Sequence, residues 1–217
     1  MKTFLSIGSG PGMGLATAER FAKEGFQVIL SARNTAKLDE LAAQLKAMGY
    51  NVDVRNVDTS EPESVARLIK GVEERNGGID VLHYNAAAMR QATLANQPLE
   101  TFNSDLAVNI GGALAAIQAT AGNMTKRAGG TILLTGGGFA LQPHPDYLSL
   151  SIGKAGIRAL AQGLFDSFKD KGIHIATVTV AGFVNPGSNE ADKVAEHFWQ
   201  LHGQPREDWT VEHIYTP

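Results

Sequence analysis

A glycine-rich turn close to the start of the chain carries the clearest chemical signal in the sequence. Its residues are Gly8, Ser9, Gly10, Pro11, Gly12, Met13 and Gly14. Glycines at this spacing permit a tight turn and a close approach of the backbone to a bound group. When such a turn joins a strand to a helix, the free N–H groups and the positive end of the helix dipole bind phosphate. The turn therefore predicts a site for a dinucleotide pyrophosphate.

The end of the second apolar run bears on which dinucleotide would bind. Ala32, Arg33 and Asn34 stand there, and none of the three is acidic. A carboxylate at this place accepts the ribose hydroxyls of NAD, whereas an arginine accommodates a ribose 2′-phosphate. Arg33 favours NADP(H), because a guanidinium forms charge-assisted hydrogen bonds with phosphate and Ala32 does not repel it. A solvated surface arginine is the alternative interpretation of Arg33.

Other chemistries receive less support. The glycine turn also resembles the first motif of S-adenosylmethionine-dependent methyltransferases, but those enzymes place an acidic residue where Ala32 and Arg33 stand. The chain has no cysteine, and His197 and His202 are five residues apart and do not share a helix face. No serine stands in a Gly-x-Ser-x-Gly nucleophile elbow. We predict no metal site.

Short apolar runs alternate with longer amphipathic segments along the chain. The predicted strands are Thr3–Ile7, Phe26–Leu30, Val52–Val57, Val81–Tyr84, Thr131–Leu134, His174–Val180 and Val211–Tyr215. The predicted helices are Met13–Lys23, Ala36–Met48, Pro62–Arg75 (with Ser60 as the cap), Leu99–Lys126, Ser149–Lys171 and Glu190–Leu201. This alternation predicts an α/β fold, a doubly wound Rossmann-type parallel sheet of about seven strands with helices on both faces.

The bulk composition is that of an ordinary soluble globular protein. The 217 residues are 43% hydrophobic and 19% charged, and the formal net charge is −3. This charge gives no reason to expect nucleic acid or a membrane surface as a partner, and no apolar run reaches the roughly 18 residues of a spanning helix. We expect a single dinucleotide-binding domain over residues 1–217, with a short substrate-side region. The first residues do not form a signal peptide, so we expect a cytoplasmic location.

The order of motifs resembles that of the short-chain dehydrogenases/reductases across essentially the whole chain. The three signature glycines of that family match Gly8, Gly12 and Gly14. The aspartate that receives the adenine amino group in the family matches Asp58, which Thr59 follows. The resemblance implies NADP(H) as the cofactor and a small-molecule substrate.

Three later segments continue the resemblance. The Asn-Asn-Ala-Gly signature of the family is represented, in altered form, by Tyr84, Asn85, Ala86 and Ala87. The asparagine of the long helix matches Asn109. Gly182, Phe183 and Val184 match the turn whose backbone meets the nicotinamide carboxamide in the family.

The catalytic segment departs from the family pattern. Similar enzymes use an Asn-Ser-Tyr-Lys tetrad, in which the tyrosine protonates the developing alkoxide and the lysine holds the ribose and lowers the tyrosine pKa. Lys154 matches the lysine, but Leu150 stands where the tyrosine is expected and the serine falls within 136–138, three glycines. Tyr147 is the nearest substitute, and two helical turns, about 10 Å, would separate it from Lys154.

The predicted catalytic residues are therefore Asn109, Lys154 and Tyr147. Other proton donors in the neighbourhood are Thr135, His144, Ser149 and Ser151. We expect an NADP(H)-dependent oxidoreductase that reduces a carbonyl or an imine with an atypical active site. The alternative is a catalytically inactive dinucleotide-binding protein, either a sensor or a partner subunit.

Two further expectations concern the substrate side and assembly. Only a short segment separates Val184 from the helix at Glu190, where the family inserts a lid, so we expect an open substrate side. Small residues on the long helix permit close packing between helices; they are Gly111, Gly112, Ala113, Ala115, Ala116 and Ala119. In the family this helix and the lysine helix form a four-helix interface, which implies a homodimer or a homotetramer.

Overall fold

A computed structural model describes residues 1–217 and contains one seven-stranded sheet. Its strands are β1 (Thr3–Ile7), β2 (Gln27–Ala32), β3 (Val52–Asn56), β4 (Val81–Tyr84), β5 (Gly130–Thr135), β6 (Ile173–Val180) and β7 (Glu212–Tyr215). The strand order is β3-β2-β1-β4-β5-β6-β7, and every neighbouring pair is parallel. The doubly wound Rossmann-type fold predicted from the sequence is confirmed.

Seven α-helices connect these strands. They are α1 (Met13–Lys23), α2 (Thr35–Ala47), α3 (Pro62–Asn76), α4 (Leu99–Leu106), α5 (Gly112–Lys126), α6 (Leu148–Asp170) and α7 (Asn189–Gly203). Short 3₁₀ turns occupy 138–140 and 206–208. The predicted strands and helices are all present, and their observed ends differ from the predicted ones by at most two residues, apart from the long helix at 99–126. None of the helices is long and apolar enough to cross a membrane.

The two faces of the sheet are covered by different helices. Phe21 of α1, Leu38 of α2 and Phe198 of α7 belong to the buried cluster on one face. The cluster on the other face includes residues of α3, α5 and α6, such as Ile69 and Ile117. Apolar residues recur at helical spacing in these segments, which places them on the side of each helix that faces the sheet.

The long helix predicted at 99–126 is interrupted. Between α4 and α5, Ala107–Gly111 form a wide π-helical turn that includes the predicted catalytic Asn109. A π turn inserts one extra residue into a helix and is frequent at functional sites. Helical spacing of apolar residues could not reveal this interruption, since the segment stays helical on both sides of it.

Some of the small residues near the start of α5 pack inside the chain. A Cβ atom added to Gly112 would lie 2.4 Å from the Tyr84 hydroxyl oxygen and 2.5 Å from the Thr59 carbonyl oxygen. Ala113 and Ala116 are fully buried. Close packing within the chain is therefore one reason why these residues of α5 are small. A contact between α5 and a second copy of the chain is not needed to explain them.

Candidate active site

A cavity of about 920 Å³ lies at the carboxyl ends of the strands. The strand order changes direction between β1 and β4, which is where doubly wound sheets bind their ligands. Predicted site residues that line the cavity are Gly8, Ser9, Met13, Ala32, Arg33, Thr59, Asn85, Ala86, Ala87, Lys154 and Gly182. The other predicted residues lie outside this lining; they are Gly10, Pro11, Gly12, Gly14, Asn34, Asp58, Asn109, Tyr147 and Val184.

Gly8 is the residue of the turn at which only glycine fits. Its φ is +84°, and an added Cβ would lie 2.3 Å from the backbone nitrogen of Ala86. Its N–H and that of Ser9 both donate to the Ser31 carbonyl, at 2.9 Å. The Ser9 hydroxyl donates to the Ser6 carbonyl at 3.1 Å. These bonds join the start of the turn to β1 and β2.

The second half of the turn presents unpaired backbone donors. The N–H groups of Gly10, Gly12, Met13 and Gly14 form no hydrogen bond within the chain. The space around an added Gly10 Cβ is open to 4 Å. Unpaired N–H groups at a helix start form an anion-binding site. The geometry therefore fits a pyrophosphate.

Arg33 extends from the end of β2 into the cavity as an exposed side chain. Its guanidinium forms no ion pair or hydrogen bond with the rest of the chain, so it is free to bind a ligand. Asp58 lies near it, and the pKa of that carboxyl is lowered by hydrogen bonds from the Ser60 hydroxyl and N–H, with a smaller contribution from Arg33.

Ser60 does not cap α3 as predicted, because Glu61 occupies the N-cap position.

A buried chain of polar groups runs beneath the cavity floor. Ser6 Oγ lies 3.4 Å from His83 Nδ1, and His83 Nε2 lies 3.1 Å from Thr135 Oγ1. Thr135 Oγ1 donates to Asn85 Oδ1 at 2.9 Å, and Asn85 Nδ2 donates to the Gly8 carbonyl at 2.9 Å. Burial, with a smaller effect of Lys154, lowers the pKa of His83 to about 3, so the imidazole is neutral. The chain holds Asn85 against the glycine turn.

Lys154 on α6 is the cation in the interior of the cavity. Its Nζ donates to the Thr135 carbonyl at 2.7 Å, and burial lowers its pKa to about 8. Leu150, one helical turn earlier, also lines the cavity and is 5% exposed. A Cβ added to Gly137 would lie 3.1 Å from Lys154 Cγ. Leu150 and Gly137 are therefore the immediate neighbours of this lysine.

Asn109 is buried in the π turn, and its side-chain amide is hydrogen-bonded at both ends. Its Oδ1 accepts from the Ala88 N–H at 2.7 Å and its Nδ2 donates to the Ala88 carbonyl at 3.3 Å. Gly153 packs directly against it, since an added Cβ would lie 2.5 Å from Asn109 Cβ. Asn109 thus fixes the loop after β4 at a point where α6 also approaches.

Tyr147 stands at the N-cap of α6 and outside the cavity lining. Its ring stacks on Phe139 with centroids 5.4 Å apart, and His144 packs edge-on at 5.6 Å. The main-chain bridge from Tyr147 to Ala92 holds this segment against the β4–α4 loop. Pro143 and His144 of this segment line the cavity, and the role of Tyr147 as a proton donor stays a prediction.

The rim of the cavity includes Phe183, from the turn recognised in the sequence, and residues that sequence analysis did not single out. The latter are Met89, Phe139, Leu141, Gln142, Pro143, Ile214 and Thr216. Met89 is 66% exposed and Phe183 is 72% exposed, so apolar groups face solvent at the mouth. Apart from Ile214, which lies within β7, they follow the carboxyl ends of β4, β5, β6 or β7, and that position is the signal that could have identified them.

Comparison with known proteins places the chain in a family. The sequence profile of the short chain dehydrogenases matches residues 2–195, and the chain belongs to that family. An uncharacterized oxidoreductase of Thermotoga maritima is 30% identical over 178 residues, covering 82% of this chain and 70% of that protein. A glucose 1-dehydrogenase of Gluconobacter oxydans is 30% identical over 187 residues, covering 85% of this chain and 70% of that protein.

Solved structures show the same fold. A metagenomic short-chain oxidoreductase in complex with NADP has a TM-score of 0.91 at 21% identity, and the match covers 100% of this chain and 98% of that one. An actinorhodin polyketide ketoreductase with NADPH has a TM-score of 0.89 at 22% identity, with 100% and 97% covered.

Proposed function

We propose that this protein is an NADP(H)-dependent oxidoreductase that reduces a carbonyl or an imine with an atypical active site. The observation that carries this proposal is one cavity lined by the glycine turn (at Gly8, Ser9 and Met13), by Arg33 with its free guanidinium and by Lys154. No aspartate or glutamate lines that cavity, which favours a ligand with several negative charges.

The residues present fit the dinucleotide. The backbone of Gly10–Gly14 would hold the pyrophosphate, and Arg33 would hold the 2′-phosphate. Lys154 would bind the nicotinamide ribose, and Gly182, in the cavity wall after β6, would contact the nicotinamide. When bound, the nicotinamide supplies hydride.

Replacing Arg33 by alanine tests the cofactor assignment. The R33A variant is expected to bind NADPH at least about ten-fold more weakly, because a charge-assisted contact with the 2′-phosphate is lost. NADH binding should be nearly unaffected. Arg67→Ala is the matched control, since Arg67 is exposed on α3 and does not line the cavity. Equal NADPH affinity of R33A and the natural protein by calorimetry would contradict the assignment.

The catalytic part of the site is atypical in the residues beside Lys154. Leu150 and Gly137 cannot transfer a proton, and the Tyr147 ring packs on Phe139 instead of lining the cavity. Asn109 acts as a positioning residue, because its amide is bonded to Ala88 on both sides. The same observations favour a second candidate, a dinucleotide-binding protein without catalytic activity. Consumption of NADPH with a panel of aldehydes, ketones and imines separates the two.

Assembly is a further expectation of this proposal. Leu114 on α5 is 39% exposed and Ile152 on α6 is 44% exposed, so both helices retain apolar surface. Burying that surface against a second copy across a two-fold axis would give a homodimer or a tetramer built from it. Light scattering at micromolar concentration is expected to report twice or four times the chain mass. A strictly monomeric mass would rule this out.

A further inference from the structure

Much of the cavity lining is apolar, and part of it is open to solvent. Its larger apolar side chains include Met89, Phe139, Leu141, Leu150, Phe183 and Ile214. Leu141 is 40% exposed, and Met89 and Phe183 are more exposed still. Covering such surface with a ligand removes apolar area from water, which favours binding of an apolar molecule.

One aromatic ring of the lining has its orientation fixed by its neighbours. The Phe139 ring stacks on Tyr147 with centroids 5.4 Å apart and packs against His144 at 5.7 Å. Phe139 also lines the cavity. A fixed aromatic face favours offset stacking with a planar ring.

Ionisable side chains are sparse in the cavity, and neither Leu150 nor Gly137, the residues beside Lys154, carries an acid. Arg33, His144 and Lys154 are the ionisable residues of the lining. Arg33 follows β2, three strand spacings from β5, or about 14 Å. His144 Nδ1 accepts from the Asp146 N–H at 3.2 Å. The Lys154 ammonium is bound to the Thr135 carbonyl.

This arrangement restricts the acceptors that can be reduced readily. Hydride transfer to an ordinary ketone creates an alkoxide, which needs a proton from a positioned acid. Hydride transfer to a quinone creates a phenolate instead, and a phenol is about five to six orders of magnitude more acidic than water. The phenolate forms without an acid, and the Lys154 ammonium favours its negative charge.

Resting on the proposed function, we propose that the cavity takes a planar, apolar quinone as its substrate. The nicotinamide C–H bond breaks, and the quinone gains that hydrogen with two electrons and becomes a hydroquinone monoanion. Oxidised dinucleotide remains, and water supplies the one proton that completes the hydroquinone. A cationic iminium would also need no acid, but Lys154 repels it and no carboxylate lines the cavity to offset its charge.

The first test compares two bicyclic acceptors of similar size, 1,4-naphthoquinone and 1-tetralone. With NADPH and after subtraction of the protein-free rate, kcat/KM is expected to be at least about 100-fold higher for the quinone. The solvent deuterium isotope effect on quinone reduction should be near one, because proton transfer follows the hydride step. Equal or faster tetralone reduction, or a large isotope effect with the quinone, overturns the inference.

The second test measures binding without turnover. Calorimetry with the NADP⁺-loaded protein is expected to show that Leu141→Asp weakens 1,4-naphthoquinone binding at least ten-fold. Leu94→Asp, the matched control, should change it less than two-fold, because Leu94 is 82% exposed and lies outside the cavity lining. Equal affinities in the two variants overturn the inference. Absence of NADP⁺ binding in the loading step overturns the proposed function itself, so the two failures are distinguishable.

Discussion

The double variant Gly137→Ser with Leu150→Tyr is expected to reduce ordinary ketones roughly 10²-fold faster than the natural protein, which should reduce them slowly or not at all. A tyrosine at 150 would stand one helical turn from Lys154, whose charge favours the phenolate and so lowers the phenol pKa. A serine at 137 would lie against the Lys154 stem, where an added Cβ meets Cγ at 3.1 Å and the flexible chain can shift. The measurement is kcat/KM with NADPH and 1-tetralone.

The matched control for that variant is Gly137→Ala with Leu150→Phe. It adds nearly the same volume at both positions but no hydroxyl, so it should leave the ketone rate close to that of the natural protein. Tyr147→Phe should also have little effect, because the ring lies outside the cavity lining. Similar acceleration by the control pair, or fast ketone reduction in the natural protein that survives Tyr147→Phe, would refute the assigned register.

Gly8→Ala is expected to destabilise the protein by about 2–5 kcal/mol, as the sum of backbone strain and a clash. The φ of +84° disfavours any residue with a Cβ, and the added atom would meet the Ala86 backbone nitrogen at 2.3 Å. Because that neighbour is main chain of the segment after β4, a side-chain rotation cannot relieve the contact. The free energy of unfolding, measured in urea, reports the loss.

Two other glycines separate the components of this effect. Gly10→Ala should be nearly neutral, because nothing lies within 4 Å of its Cβ position and its φ is not positive. Gly25→Ala should cost about 1–2 kcal/mol, since its φ is +81° but the space around it is open. A Gly8→Ala variant no less stable than Gly25→Ala would show that the turn can move away from Ala86.

Local features of this chain could be predicted from the sequence because they depend on neighbouring residues. Alternating apolar runs and amphipathic segments predict the strands and helices, and Gly25, Gly49, Gly77 and Gly172 have the positive φ expected after a helix. The doubly wound order follows from parallel strands with right-handed crossovers. The glycine turn and Arg33 could be recognised for the same reason, since each stands directly after a strand.

The tertiary structure decided which side chains meet. It places Gly137 and Leu150 beside Lys154, folds Asn109 into a π turn bonded to Ala88, and ties Tyr147 to Phe139 outside the cavity. No local pattern contains this information, because a contact depends on the strand order and on how the loops turn. The apolar rim combines loops that follow different strands, so residues far apart in sequence form one surface only after the parallel sheet brings their strand ends to a common edge.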